Sequence, residues 1–313
     1  MRNKCFLIDG GAGRIITAIP ALEKYARLNP GKDFYVIIGG WEFLLWGNHT
    51  LQDRVFSMDT KGVFENYIRH CDVVTPEPYK NWHYFNQKCS LIEAFDKEIN
   101  LTDDHSDLEF PNLFLTRDEL ATANITLDEV KQAQQKKTTI IFQPFGSGAR
   151  VKNNDIIDTS NRSLDVPTYL ELIRRLSNKF NLVFFGTPDM RPPDDEVTAW
   201  YDIDLRGWAA MVKQAEYFVG VDSVGQHIAR AVGTPGTVIM GGTDTVNSTY
   251  PDFFKVFENK NFSMKYVPWR MCNLDVALAD KYNDGCMQLS SEQVDEIYNM
   301  IVSDIQKNIN QSK

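Results

Sequence analysis

Apolar positions in this chain gather into short runs of four or five, separated by helix-length stretches of mixed polarity. The alternation starts at once: Cys5 to Ile8 reads as a buried strand. Asp9, Gly10, Gly11, Ala12 and Gly13 form a glycine-containing turn, and an amphipathic helix is predicted from about Ile15 to Arg27. Pro30 and Gly31 stop that helix, and Phe34 to Ile38 resumes as a strand. A strand, a helix-length crossover and a strand demand a parallel sheet. From Trp41 to about Leu115 the chain is rich in aromatics and less regular, with weak strand signals at Arg54 to Met58 and Asp72 to Thr75. Thr116 to Lys137 is polar and helical, with Asn124 or Thr126 as the cap, and reads as a linker.

A second series follows. Strands are predicted at Thr138 to Phe142, Leu182 to Phe185, Tyr217 to Val219 and Thr237 to Met240. Helices are predicted at Val166 to Lys179, Ala209 to Ala215, Gln226 to Val232 and, capped by Ser290 or Ser291, from Ser291 to about Ile309. The expected class is α/β: two Rossmann-like, doubly wound parallel-sheet domains facing each other across a cleft, over residues 1–130 and 131–313. The last helix is a candidate to pack back on the first domain.

Length agrees, because 313 residues exceed what one core normally holds. Hydrophobic residues make up 43% and charged residues 24%, the profile of a chain that folds throughout. The apolar run at Cys5 to Ile8 is too short for a signal-peptide core, and no stretch approaches the roughly 20 apolar residues of a membrane span, so a cytoplasmic protein is expected. The five cysteines, at 5, 71, 89, 272 and 286, are odd in number and scattered, which fits reduced packing residues. With 33 basic against 42 acidic residues, the net charge of −9 gives no reason to expect a phosphate-rich partner.

The most informative stretch is GVDSVGQHIARAVGTPGTVIMGGTD, Gly220 to Asp244. A strand runs out at Asp222 and Ser223, and the helix carrying His227 begins at once. Unpaired N–H groups at a helix start bind a diphosphate without a cationic side chain, and this edge of a doubly wound sheet is where ligands sit. Strand-end polar residues such as Asp222 and Ser223 are poorly explained by packing, whereas His227 reads equally as a satisfied helix histidine or a ligand contact. A second candidate is Gln143 to Arg150: Gly146, Ser147 and Gly148 allow close backbone approach and Arg150 follows.

Gly220, Asp222, Ser223, His227, Ala231, Gly233, Pro235, Gly242, Thr243 and Asp244, in this order, resemble the donor-site signature of the heptosyltransferases, glycosyltransferase family 9. The resemblance extends to Phe142 to Arg150, Gly186, Leu205-Arg206-Gly207, Cys272, Cys286-Met287, Glu292 and Val294, and more weakly to residues 6–40. It implies a GT-B glycosyltransferase that inverts, with a nucleoside-diphosphate sugar held by Gly146, Ser147, Arg150, Arg162, Asp222, Ser223, His227, Thr243 and Asp244. Arg162 lies near where the family carries a basic residue that neutralises donor phosphate. No cofactor and no metal are implied, since a helix start can take a metal's place on the phosphates.

One departure is chemical. Where the family has Gly-Asp, the aspartate being its base, this chain has Gly13 and Arg14. Arginine cannot act as a base at neutral pH. Either Asp9 takes over that role, or Arg14 holds an anionic acceptor or donor phosphate, or catalysis has lapsed. Further along, EPYKNWHYFNQKCSLIEAFD places Lys80 and His83 among aromatics, which suits either a sugar-binding surface for the acceptor or a wet-edged core segment. The acceptor stays open between a glycan, a lipopolysaccharide core, a small molecule and modified nucleic acid. Competing readings are a nucleotide-sugar epimerase and a catalytically lapsed nucleotide-sugar-binding protein. A dehydrogenase is disfavoured, because Gly11 and Gly13 are followed by Ile16 and not by a third glycine.

Overall fold

The computed structural model describes residues 2–152, 155–158, 160–192, 194–260 and 285–311; Cys272 lies outside them. The chain divides into two compact units, Met1–Thr116 and Arg117–Lys313.

Unit 1 contains β1 (Lys4–Ile8), α1 (Ala12–Leu28), β2 (Phe34–Ile38), β3 (Val55–Ser57), β4 (Asp72–Val74), α2 (Trp82–Phe85) and α3 (Leu91–Asn100). Its strands form a parallel sheet in the order β3-β2-β1-β4, with Cys5 opposite both Tyr35 and Val73. The weak strand signals are therefore real but short, three residues each. The first helix begins at Ala12, earlier than expected, because Gly10 turns the chain at φ 99 and Gly11 serves as cap. Helix α1 packs on α3, and Phe6, Tyr25 and Phe34 meet edge to face. Between these helices lies a buried ion pair, with Lys24 Nζ donating to Asp96 Oδ2 at 3.0 Å.

Unit 2 contains α4 (Arg117–Gln134), β5 (Thr139–Gln143), β6 (Ala149–Lys152), β7 (Asp155–Asp158), α5 (Val166–Leu176), β8 (Asn181–Phe184), β9 (Thr198–Ala199), α6 (Leu205–Gln214), β10 (Tyr217–Val221), α7 (Val224–Val232), β11 (Gly236–Met240), α8 (Thr245–Ser248), β12 (Lys255–Glu258) and α9 (Ser291–Gln311). Six strands form a parallel sheet in the order β12-β11-β10-β5-β8-β9, and β6 with β7 makes a separate antiparallel pair. This is the doubly wound order: successive strands run outward in one direction from β5 and in the other from β10. The switch point falls between these two strands.

The polar helix at the boundary is an element of unit 2 rather than a connector. Helix α4 packs on α6, where Glu119 accepts a forked pair of bonds from the buried Arg206. Neither Asn124 nor Thr126 caps it: the helix runs through both, and Thr126 Oγ1 donates back to Thr122 O at 3.0 Å. Helix α9 packs against α5, β11 and β12 of unit 2. Its start is a reciprocal cap between Ser290 and Gln293, as the serine signal predicted. No described helix is long and apolar enough to cross a membrane.

Candidate functional site

In unit 2 the carboxyl ends of β5 and β10 meet at the switch point. Strand β5 ends in Gln143, whose Oε1 accepts from Gly225 N at 2.8 Å, so the first turn of α7 is tied to the end of a strand 82 residues away. The approach is close enough that a Cβ on Gly225 would run into Gln143 Oε1 and the Phe218 ring. One N–H group of the helix start is thus taken internally, which corrects the picture of a wholly unpaired first turn. Ser223 is the cap residue and makes no side-chain cap bond; its Oγ lies 3.5 Å from Gln143 Nε2.

Asp222, in the same β10–α7 turn, is buried, and its Oδ1 accepts from Gln226 Nε2 at 2.9 Å. Burial raises its pKa above the ordinary carboxylate value, against the pull of the Arg162 guanidinium. His227, one turn into α7, is also buried, and its Nδ1 lies 2.8 Å from the Tyr250 hydroxyl. Burial, with Arg162 adding to it, pushes the imidazole down to about 4, so His227 is neutral at physiological pH and is held as a satisfied core histidine. Arg162 acts on both Asp222 and His227, so the structure brings it to the signature from 60 positions before Asp222.

Arg162 is positioned by the β7 turn. Asp158 accepts from Ser160 N at 2.6 Å and from the Ser163 hydroxyl, Ser163 Oγ accepts from Gly146 N at 2.8 Å, and Arg162 Nε donates to Ser160 Oγ at 3.1 Å. Gly148 packs against Asp158 and Ser160 so tightly that a side chain there would collide with both. The loop Gly146 to Gly148 is therefore braced from below, not loose. Exposed Ser147 and Arg150 differ from this group: Arg150 Nη1 donates to Ser147 O at 2.8 Å and Ala149 O at 2.6 Å, binding its own hairpin. After β11, the buried Thr243 hydroxyl acts on the Asp222 carboxylate, and the buried Gln226 Oε1 has no partner. Unpaired polar atoms this deep are costly and point to a missing donor or acceptor. Asp244 caps α8, accepting from Val246 N and Asn247 N. Asp158, Ser163, Gln226 and Tyr250 are the residues of this group that the sequence reading did not single out, whereas Gln143 opened its second candidate stretch.

In unit 1 the sheet switches direction between β1 and β4, and the N-terminal candidates lie there. Arg14 is nine-tenths buried, with Nη1 3.6 Å from Asp9 Oδ1 and Nη2 3.6 Å from Glu77 Oε1. Nη2 donates to Pro76 O at 2.8 Å, and the guanidinium carbon lies 5.3 Å from the centre of the Tyr79 ring. Asp9 is 73% exposed and does not cap α1, whose cap is Gly11. Glu77, which the motif did not single out, belongs to the same cluster. Lys80 and His83 follow on the short turns after β4, Lys80 exposed and His83 half-buried, its ring edge-on to the Trp82 ring at 5.1 Å.

No group of histidine, cysteine, aspartate or glutamate among the described residues could hold a metal ion. The sequence contains one Asp-x-Asp, Asp202-Ile203-Asp204, and its second aspartate is engaged as the cap of α6, accepting from Gly207 N at 2.8 Å.

By sequence the chain matches no family model and no curated protein. Among solved structures it is similar to the glycosyl transferase family 9 protein from Veillonella parvula, at 14% identity over 95% of this chain and 96% of that chain, with a TM-score of 0.64. It is similar to the dodecameric iron-containing heptosyltransferase TibC of enterotoxigenic E. coli, in the structure with ADP-D-β-D-heptose, at 13% identity over 97% of this chain and 76% of that one, TM-score 0.64. It is also similar to E. coli ADP-heptose lipopolysaccharide heptosyltransferase II, at 12% identity over 91% and 98%, TM-score 0.58. At these identities the likeness is one of fold: two parallel-sheet α/β units, as the resemblance implied.

Proposed function

We propose that the chain is a cytoplasmic inverting glycosyltransferase. A nucleoside-diphosphate sugar is held at the β5/β10 switch point of unit 2, and the acceptor is bound by unit 1. The observation that carries this reading is the half-buried Arg162 acting on the buried Asp222 at the start of α7, with the buried Gln226 Oε1 unpartnered beside it. An anionic diphosphate supplies what a cation over a helix start attracts, and sugar hydroxyls supply hydrogen-bond partners of both kinds. In the transfer, an acceptor oxygen attacks the anomeric carbon as the bond to the diphosphate oxygen breaks. The acceptor proton passes to Asp9, and negative charge gathers on the leaving diphosphate. Arg162 and the remaining N–H groups of α7 stabilise that charge, so the step is proposed to need no metal and no further cofactor.

Arg14 favours one second reading. With the family's base position occupied by a guanidinium that is itself clamped, a nucleotide-sugar-binding protein without turnover is the alternative. A thermal-shift panel of ADP-, UDP-, GDP- and CMP-sugars tests binding, since a ligand of the native state raises its melting point. Stabilisation by at least one of them is expected, and none by any would remove the proposal. Release of nucleoside diphosphate in the presence of candidate acceptors, including glycans and lipopolysaccharide core, then separates enzyme from binder.

A further inference from the structure

The loop after β2 in unit 1 carries aromatic side chains that the reading above leaves unused. Gly39 extends β2 alongside the end of β1: its N–H donates to Ile8 O at 3.1 Å, and a Cβ placed on it would lie 3.5 Å from Asp9 Cβ. Two residues on, Trp41 has φ 70 and ψ 13, a left-handed conformation that a bulky side chain rarely adopts and that persists only where its surroundings impose it. The turn Glu42–Leu45 follows. Its residues divide unexpectedly: Leu44 and Leu45 are buried, while Trp41 is 38% and Trp46 61% exposed. The rings of Trp41, Phe43 and Trp46 follow one another, with centres 6.0 Å apart and then 6.2 Å apart. Two exposed tryptophans in a loop that starts next to Asp9, one on strained backbone, mark a binding surface better than a packing need.

We propose that Trp41, Phe43 and Trp46 form a platform that seats a carbohydrate acceptor beside Asp9. This deepens the glycosyl-transfer reading and rests on its assignment of the acceptor to unit 1. The C–H face of a pyranose carries slight positive charge and fits the negative face of an aromatic ring, and a tryptophan offers large, stiff contact area at little entropic cost. Asp9, next to the start of the loop, and Glu42, within it, supply carboxylates that can accept hydrogen bonds from sugar hydroxyls. The charge pattern speaks against a lipid surface: from Asp33 to Asp53 there is no lysine or arginine, whereas Asp33, Glu42 and Asp53 are acidic.

The test uses the full chain, with Trp41→Ala and Trp46→Ala, on an array of immobilised oligosaccharides without nucleotide. Melting with the nucleotide-sugar panel, sedimentation, and binding to phosphatidylserine vesicles are measured alongside. The wild-type chain is expected to bind a subset of the oligosaccharides, and each variant to bind them at least tenfold more weakly with its nucleotide-sugar shift unchanged. Trp46, the more exposed, reads out the platform if Trp41→Ala does not fold. Equal binding by folded variants, no oligosaccharide bound by the wild type, or a variant that loses self-association or vesicle binding instead would each overturn the proposal. Tryptophan-dependent saccharide binding in a chain that no nucleotide sugar stabilises would leave the platform standing and remove the glycosyl-transfer reading.

Discussion

Arg14 sits between two carboxylates, each 3.6 Å from a different nitrogen of its guanidinium, and donates its clear hydrogen bond to a backbone carbonyl. Such a group holds its neighbours in place, and its buried Nε, which has no partner, remains as a donor for a ligand. Asp9 is the more exposed carboxylate of the pair and lies just beyond the end of β1, so it is the better placed to take a proton. Asp9→Asn is expected to lower turnover at least a hundredfold, the range of a general base, while the nucleotide-sugar thermal shift stays. Glu77→Gln is expected to change turnover less than tenfold. The reverse outcome would move the base to Glu77, and full activity in both variants would remove the cluster from proton transfer. The places of Asp9, Asp222 and Ser223 just beyond strand ends were legible because a polar residue after an apolar run announces itself. The contacts of Glu77 and Gln143 were not, although both lie in candidate stretches, since they arise only when residues 63 and 82 positions apart close on one another. Arg150, a cation after a glycine loop and so a candidate phosphate ligand, donates here to its own hairpin's carbonyls.

Strands with strong apolar runs and helices with a clear polar face were readable, because burial on a sheet or against a helix dictates their composition. The β6–β7 pair, β9 and β12 escaped notice for want of that signal: Arg150, Val151 and Lys152 of β6 are exposed, and β9 has only two residues. The start of α4 was misplaced because Asn124 and Thr126 have cap chemistry, but hydrogen bonding through the helix overrides it. The element that matters most to the proposed donor site is α7, whose first turn touches β5 and β10 through a glycine. Gly225→Ala removes a poor helix former, which alone would stabilise by about 1 kcal/mol. The added Cβ would stand 2.8 Å from Phe218 Cζ in a fully buried place and collide with Gln143 Oε1, and overpacking of this kind costs about 1–3 kcal/mol. The clash is expected to win. Chemical denaturation should show a loss of stability, and the nucleotide-sugar shift should shrink as the helix start moves. A more stable variant with an unchanged shift would mean that the contact yields and that α7's placement does not matter to binding.

For the molecule as a whole, the readable consequence of this site is its response to acid. His227 is buried neutral, with its pKa brought from 6.5 down to about 4 by burial and by Arg162. Between those values the unfolded chain binds a proton that the folded chain refuses. Stability from this group is therefore complete above about pH 6.5 and drains away as pH falls towards 4, by on the order of 3 kcal/mol in full. Asp222 and, in unit 1, Glu23 work the other way: burial raises both, so the folded chain holds their protons more tightly and acidification relieves it. The slope of the whole protein is the balance of these, and a single curve does not separate them. His227→Gln does, because it removes the titrating group and leaves a polar side chain facing Tyr250. Melting temperature measured from pH 7.5 to 4.5 is expected to fall less steeply in the variant than in the wild type, with the curves converging at the acid end. Parallel curves would mean that His227 titrates alike in the folded and unfolded chain. It would then be accessible to water, and the tightly closed helix start described for the proposed donor site would be wrong.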